Sequence, residues 1–214
     1  PQKRWPISTR QVAGHLAGVR HYRNMEFLLA KKFDSVTASL EIFKDDTLLF
    51  EPGTSYSYSS YGWNLLSAVV EGAAGEAFLP YMHKNVFWPL GMFDTVADHN
   101  DSLIAYRTRF YQRDGNGHLQ NAPYVDNSYK WAGGGFLANT QDLVRFGSAH
   151  IGSGFLKQQT LDLFQAAMRT GDGKSTNYGF GWRSGSDAAG RRWVGHSGGS
   201  VGGTAFLIVY PESG

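Results

Sequence analysis

The sequence predicts an α+β protein, with a mainly helical part over about residues 1–170 and antiparallel sheet strands over about 176–214. Two observations carry this. Through the first ~150 residues, apolar positions recur at helical spacing between cap and stop signals. The last ~40 residues instead alternate short aromatic and β-branched runs with Gly-rich turns. A third bounds the size: 214 residues, 42% of them hydrophobic and 14% aromatic, suffice for one sizeable core or one domain with a subdomain.

In chain order, Pro6 to Tyr22 reads as a capped helix. Ser8 and Gln11 fit a capping box, and Gly18 fits the stop. Met25 to Lys32 and Ser35 to Phe43 give two further helical patterns, and Leu48 to Phe50 a short extended piece. Pro52-Gly53-Thr54 is a turn signal. Seven consecutive hydroxyl residues follow, Ser55 to Tyr61, and lead into Trp63, Leu65, Leu66, Val69 and Val70 at helical spacing. Ser59 or Ser60 suits the N-cap of that helix and Gly75 its end. Such a hydroxyl-dense loop on a rigid helix suits catalysis, and equally a surface-packed turn.

After Gly75 a helical pattern runs through Phe78, Tyr81, Met82 and Val86 to the stop at Pro89-Leu90-Gly91. Arg107 to Tyr111 has strand character, and Asp114 to Gly117 is a reversal that suggests a hairpin. Ala122 to Phe136 is aromatic, then Gly-rich. Its three consecutive glycines make sense where something passes close to the backbone. Asn139 or Thr140 caps a helix over Gln141 to Ile151, and Thr160 to Met168 repeats the pattern. Tyr178 to Trp182 and Arg191 to Val194 read as strands joined by a turn over Gly185 to Gly190. Gly195 to Gly199 reads as an interruption, and Thr204 to Tyr210 as a buried strand.

Composition excludes several classes. No apolar run reaches the length of a membrane span, and residues 1–20 do not read as a leader segment. A net charge of +2 with scattered basic residues is no nucleic-acid footprint. There is no cysteine, so disulfides and thiolate metal sites are excluded.

Some motifs fail on context. Gly195 to Gly199 matches G-x-S-x-G, but a strand rather than a helix follows, and no histidine comes after His196. Gly173-Lys174-Ser175 lacks the first glycine and the strand of a phosphate loop. His15 and His21 lack carboxylate neighbours, so no metal is expected there, and His15 reads as a helix-end or supporting histidine. His83, His99, His118 and His150 read as surface or cap residues, and Asp45-Asp46 as a solvated turn.

One arrangement survives: Tyr58-x-Ser60 in the helical part, His196-Ser197-Gly198 on a strand, and the Trp131 to Gly135 segment between them. PGTSYSYSSYGWNLL, RQVAGHLAGVRHY, AGGGF with Thr140-Gln-Asp-Leu, and GHSGG together resemble the conserved boxes of the penicillin-recognising serine hydrolases. This group includes the class C β-lactamase-related proteins and their mitochondrial and bacterial branches. The resemblance covers nearly the whole chain. It implies a β-lactamase/DD-peptidase-like fold and two-step acyl transfer on an amide or ester of a small molecule or peptide, without metal or organic cofactor. It places Tyr58 on the catalytic tyrosine and His196 on the histidine of the strand motif. It implies that Gly199 supplies a backbone N–H to an oxyanion hole. Ser60, Ser197, Gly198, Trp131 and Gly134 fall on the substrate side of the cleft, although a packed turn is an equal reading for Trp131 and the glycines.

Two departures stand out. Ser60 replaces the family's asparagine and lacks the paired donors of an amide. No Ser-x-x-Lys occurs in the 214 residues. The expectation is therefore a partial domain, truncated at both ends, that is inactive by itself. By resemblance the parent is a mitochondrial protein or a bacterial one of the cytoplasm or cell envelope. The rival readings are a non-catalytic binding module and a filament-forming structural relative, and a homo-oligomer is compatible with either.

Overall fold

The computed structural model describes residues 4–213. Its centre is helix α3, Ser60–Ala74, capped by the Ser59 side chain on the Gly62 N–H and ended by Gly75 at φ 67°. Around it pack α1 (Thr9–Ala13), α2 (Val36–Ser39), α4 (Phe78–Met82) and α5 (Trp131–Gly134). Val12, Phe33, Phe43, Tyr61 and Tyr129 form the largest apolar cluster, with Phe43 stacked on Tyr61. Burial of these faces supplies most of the stability of such short helices.

Three small antiparallel sheets complete the fold. Strand β1 (Val96–Ala97) pairs with β4 (Phe136–Leu137), and β2 (Tyr111–Arg113) with β3 (Leu119–Asn121) across the Asp114 turn. The third sheet has the order β5 (Arg183–Ser186), β6 (Arg192–Ser200), β7 (Gly203–Val209). Helix α6 (Thr140–Ser148), capped by Asn139, lays Gly147 against Leu207 and Val209, and α7 (Gln158–Gln165) follows. At Gly195 a side chain would run into the Leu207 carbonyl oxygen, so glycine permits the close pairing beside His196. Among the described residues no helix is long and apolar enough to cross a membrane.

Several local expectations are corrected. The capping box of Ser8 and Gln11 forms, but α1 ends at Ala13 instead of reaching Tyr22, because His15 turns to φ 59°. Met25 to Lys32 holds only a short 3-10 turn, Glu26–Leu28. Leu48 to Phe50 is no strand; the Leu49 N–H bonds to the Gly18 carbonyl. Residues 107–110 precede the hairpin rather than joining it. Tyr178 to Trp182 is irregular apart from the Tyr178–Arg183 bridge. Gly195 to Gly199 continues β6 without interruption, and β7 exposes Phe206, so it is not buried as its apolar composition suggests. Asp46 is not a solvated turn residue. It meets the buried Arg20 at 2.5 Å, and Arg20 also grips Glu26 at 2.6 Å. His150 is buried, its Nδ1 bonded to the Phe146 carbonyl.

Candidate active site

The segment from His15 to Tyr22, the hydroxyl loop before α3, and the edge of the β5–β6 sheet converge on the ring of Tyr58. His15 lies against that ring at 4.4 Å between centroids, His21 at 5.6 Å, His196 at 6.0 Å and Tyr178 at 6.4 Å. The Arg183 guanidinium stands 6.0 Å from the ring centre. Tyr58 thus sits among three imidazoles and a cation, although its neighbours come from positions 15 to 196.

Each group is held by identifiable bonds. The Ser59 hydroxyl donates to the Arg20 carbonyl at 2.6 Å and caps α3, which fixes the chain just after Tyr58. The Ser57 N–H donates to the His15 carbonyl at 3.0 Å. On β6, His196 Nδ1 meets the carbonyl of Ser197 at 2.6 Å, and its Nε2 meets the Tyr178 hydroxyl at 3.1 Å. A carbonyl only accepts, so Nδ1 carries the proton and Nε2 accepts from Tyr178. His196 is thereby held neutral and oriented.

Burial pushes the His196 imidazole below its usual range. The Ser197 carbonyl opposes that and Arg183 adds to it. Burial takes His15 down to about 3, reinforced by His196, Arg183 and His21. Burial raises Tyr178, whose phenol therefore stays protonated and able to donate. Arg183 makes no ion pair among the described residues. It is a cation beside the loop with no carboxylate to answer it.

The other expected site residues lie as follows. Ser60 is buried at the start of α3, where its N–H bonds to His21 and its hydroxyl to Tyr22. Gly198 and Gly199 are exposed on β6, opposite Ala205 and Thr204. Residues 131–134 form a helical turn between α3 and β6, not a loop. Gly133 fits against Ser60 and Asn64, and Gly134 at φ 142° faces open space. The Trp131 side chain is buried with Val36 and Phe78, and its ring touches His99 rather than Tyr58. It also lines a separate cavity of about 230 Å³ with Phe33, Asp98 and Asp126. Among the described residues no cluster of His, Asp or Glu could hold a metal ion.

The Beta-lactamase family profile matches residues 1–214. This chain belongs to the beta-lactamase family. It is 38% identical over 212 residues to the mitochondrial serine beta-lactamase-like protein LACTB of Mus musculus, a match that covers 87% of this chain and 38% of that protein. It is 25% identical to penicillin-binding protein 4* of Bacillus subtilis, over 95% of this chain and 49% of that protein. The chain therefore spans about two fifths to one half of these relatives. Among solved structures, a D-stereospecific amidohydrolase from Streptomyces superposes with TM-score 0.82 at 19% identity, over 99% of this chain and 67% of that one. The octameric penicillin-binding protein homologue from Pyrococcus abyssi superposes with TM-score 0.80 at 20% identity, over 97% and 50%. These likenesses establish the α+β fold of β-lactamases and penicillin-binding proteins.

Tyr178 and Arg183 were not singled out by sequence reasoning. By sequence both belong to the last sheet region, and no spacing rule ties positions 178 and 183 to Tyr58. The partnership of His15 with the tyrosine loop was visible only as a helix-end histidine.

Proposed function

We propose that this chain forms the tyrosine-and-sheet half of a serine-hydrolase site that works by acyl transfer. The meeting of Tyr58, from the loop before α3, with His196, from β6, beside the unanswered Arg183 carries this reading. The nucleophilic serine and its lysine would come from outside the 214 residues, which contain no Ser-x-x-Lys. Tyr58 would move the proton between that serine and the leaving group or water. A free phenol titrates near 10, so a base at neutral pH needs neighbouring positive charge. Arg183 supplies such charge, and the lysine would add to it. His196 is bonded at both nitrogens, which suits a role in orienting groups better than one in exchanging protons. The exposed Gly199 N–H would help to bind the oxyanion. Ser197 and Gly198 would line the substrate edge, with Ser60 and Gly134 behind. The buried position of Trp131 supports a packing role.

The substrate class proposed is a small molecule or peptide with a scissile amide or ester and an anionic group for Arg183 to meet. Peptidase action is preferred over esterase or β-lactamase action. The names of the relatives support a mitochondrial or bacterial setting, and the octameric Pyrococcus protein supports a homo-oligomer.

The test compares the 214-residue chain with the product of its whole reading frame on a chromogenic ester. The chain alone is expected to give no rate above buffer. The longer protein should hydrolyse the ester and lose 10²- to 10⁴-fold in kcat on Tyr58→Phe. An active fragment, or a longer protein indifferent to that change, would overturn the reading.

A further inference from the structure

His15 stands where a glycine is the default. Helix α1 closes with the Leu16 N–H on the Gln11 carbonyl and the His15 N–H on the Val12 carbonyl. These are the paired bonds of a Schellman stop. The stop needs a left-handed residue, which His15 supplies at φ 59°. A β-carbon there costs about 1 kcal/mol relative to glycine. The backbone gains nothing from the imidazole, so the reason for it lies in what the ring touches.

His15 holds the tyrosine loop on both sides of Tyr58, by its backbone carbonyl before it and by its ring after it. The His15 carbonyl accepts the Ser57 N–H at 3.0 Å, and its Nδ1 accepts the Ser59 N–H at 3.1 Å. The next N–H, of Ser60, donates to Nδ1 of His21 at 3.1 Å. Two imidazoles six residues apart thus take two consecutive backbone N–H groups immediately after Tyr58. The His15 ring is also the closest ring neighbour of Tyr58. We propose that His15 and His21 are positioning residues, a clamp that fixes the Tyr58 side chain through the N–H groups of Ser59 and Ser60. Its consequence for catalysis rests on the role proposed for Tyr58; the clamp itself does not.

The hydrogen bonds dictate the tautomer. Each Nδ1 accepts, so each ring carries its proton on Nε2 and must be neutral. The Nε2 of His15 is buried without a hydrogen-bond partner, so that nitrogen does not account for the residue. Tyr56, Tyr58, Tyr178, His196, Arg183 and His21 surround His15, and none is an anion that would favour its protonation. Around His21 stand Tyr22 and Tyr58. Protonating either ring would place an N–H against a backbone N–H and open that half of the clamp.

Nitrogen-15 NMR of the 214-residue chain with labelled histidine tests this. At pH 7 both rings should show the Nε2–H tautomer. His15→Gly relieves the backbone strain but removes the acceptor. It should lower the exchange protection of the Ser59 amide at least tenfold and abolish the nuclear Overhauser contact between the Tyr58 and His196 rings. His15→Asn keeps a short acceptor and tolerates the left-handed backbone, so it should restore both. Tyr58→Phe should leave Ser59 protected, which separates the clamp from the chemistry proposed for the phenol. An Nδ1–H tautomer at His15, or a His15→Gly variant with undiminished Ser59 protection, would overturn the proposal. If His15→Gly does not fold, the tautomer and the asparagine variant decide. Folded His15→Asn without Ser59 protection would count against the clamp.

Discussion

At the scale of single residues, the orientation of His196 depends on one phenol. Tyr178 is buried and its O–H is the donor that occupies Nε2. Tyr178→Phe removes that donor and leaves Nε2 of the half-buried His196 without its protein partner, at a cost of about 1 kcal/mol. The neutral ring loses support, so the His196 pKa should rise toward its ordinary value. An NMR titration of His196 in the variant checks the sign, and an unchanged or lower value would contradict the bonding described. The same scale shows what the sequence could display. Tyr58 and His196 stand out because their local motifs are distinctive. Arg183 and Tyr178 do not, since an arginine opening a strand and a tyrosine in an aromatic run look ordinary until the chain brings them beside the tyrosine loop.

At the scale of elements, the N-terminus of α3 is the joint between scaffold and site. Ser59 both caps the helix and ties it to the Arg20 carbonyl. Ser59→Ala should cost roughly 1–2 kcal/mol, read as a lower urea midpoint at unchanged slope. In the last sheet, Gly195→Ala would push a methyl group into the Leu207 carbonyl of the adjacent strand. A loss of about 1–3 kcal/mol should appear in thermal melts. A variant as stable as the parent would mean that the strands can part there without cost. The α3 caps were legible from Ser59 and Gly75 because capping is a local matter of a few bonds. The end of α1 was misplaced because Gly18, also at positive φ, offers an equally good stop by composition. The chain turns three residues earlier, where the His15 ring meets the tyrosine loop.

At the scale of the whole molecule, acid should unfold this chain in two stages, and the sign follows from linkage. A histidine whose pKa is depressed by folding binds its proton more readily when unfolded. Its stabilising contribution is complete above pH 6.5 and is lost as pH falls toward the folded value. His15, at about 3, should by itself remove about 3 kcal/mol by pH 4. His21, His150 and His196 act in the same direction. Below about pH 4.5 the Arg20 network follows. Burial would raise Glu26 and Asp46, but the Arg20 guanidinium outweighs it and holds both below their usual values, so protonation costs stability there too. Urea midpoints measured from pH 7 to 3 should fall throughout. A flat profile between pH 6.5 and 4.5 would contradict the neutral state of the buried His15 and His150.

The sequence by itself determined the α+β class, the capped helix after the tyrosine loop, and the beta-lactamase family. All of these reside in local periodicity, caps and short motifs, which are written in neighbouring residues. Only the tertiary structure decided which groups surround Tyr58. The imidazoles of His15, His21 and His196 and the guanidinium of Arg183 are up to 181 residues apart in the chain, from position 15 to position 196. Their meeting depends on how α1, α3 and the β5–β6 edge pack. Packing is a cooperative property of the whole core, and no single stretch of sequence encodes it.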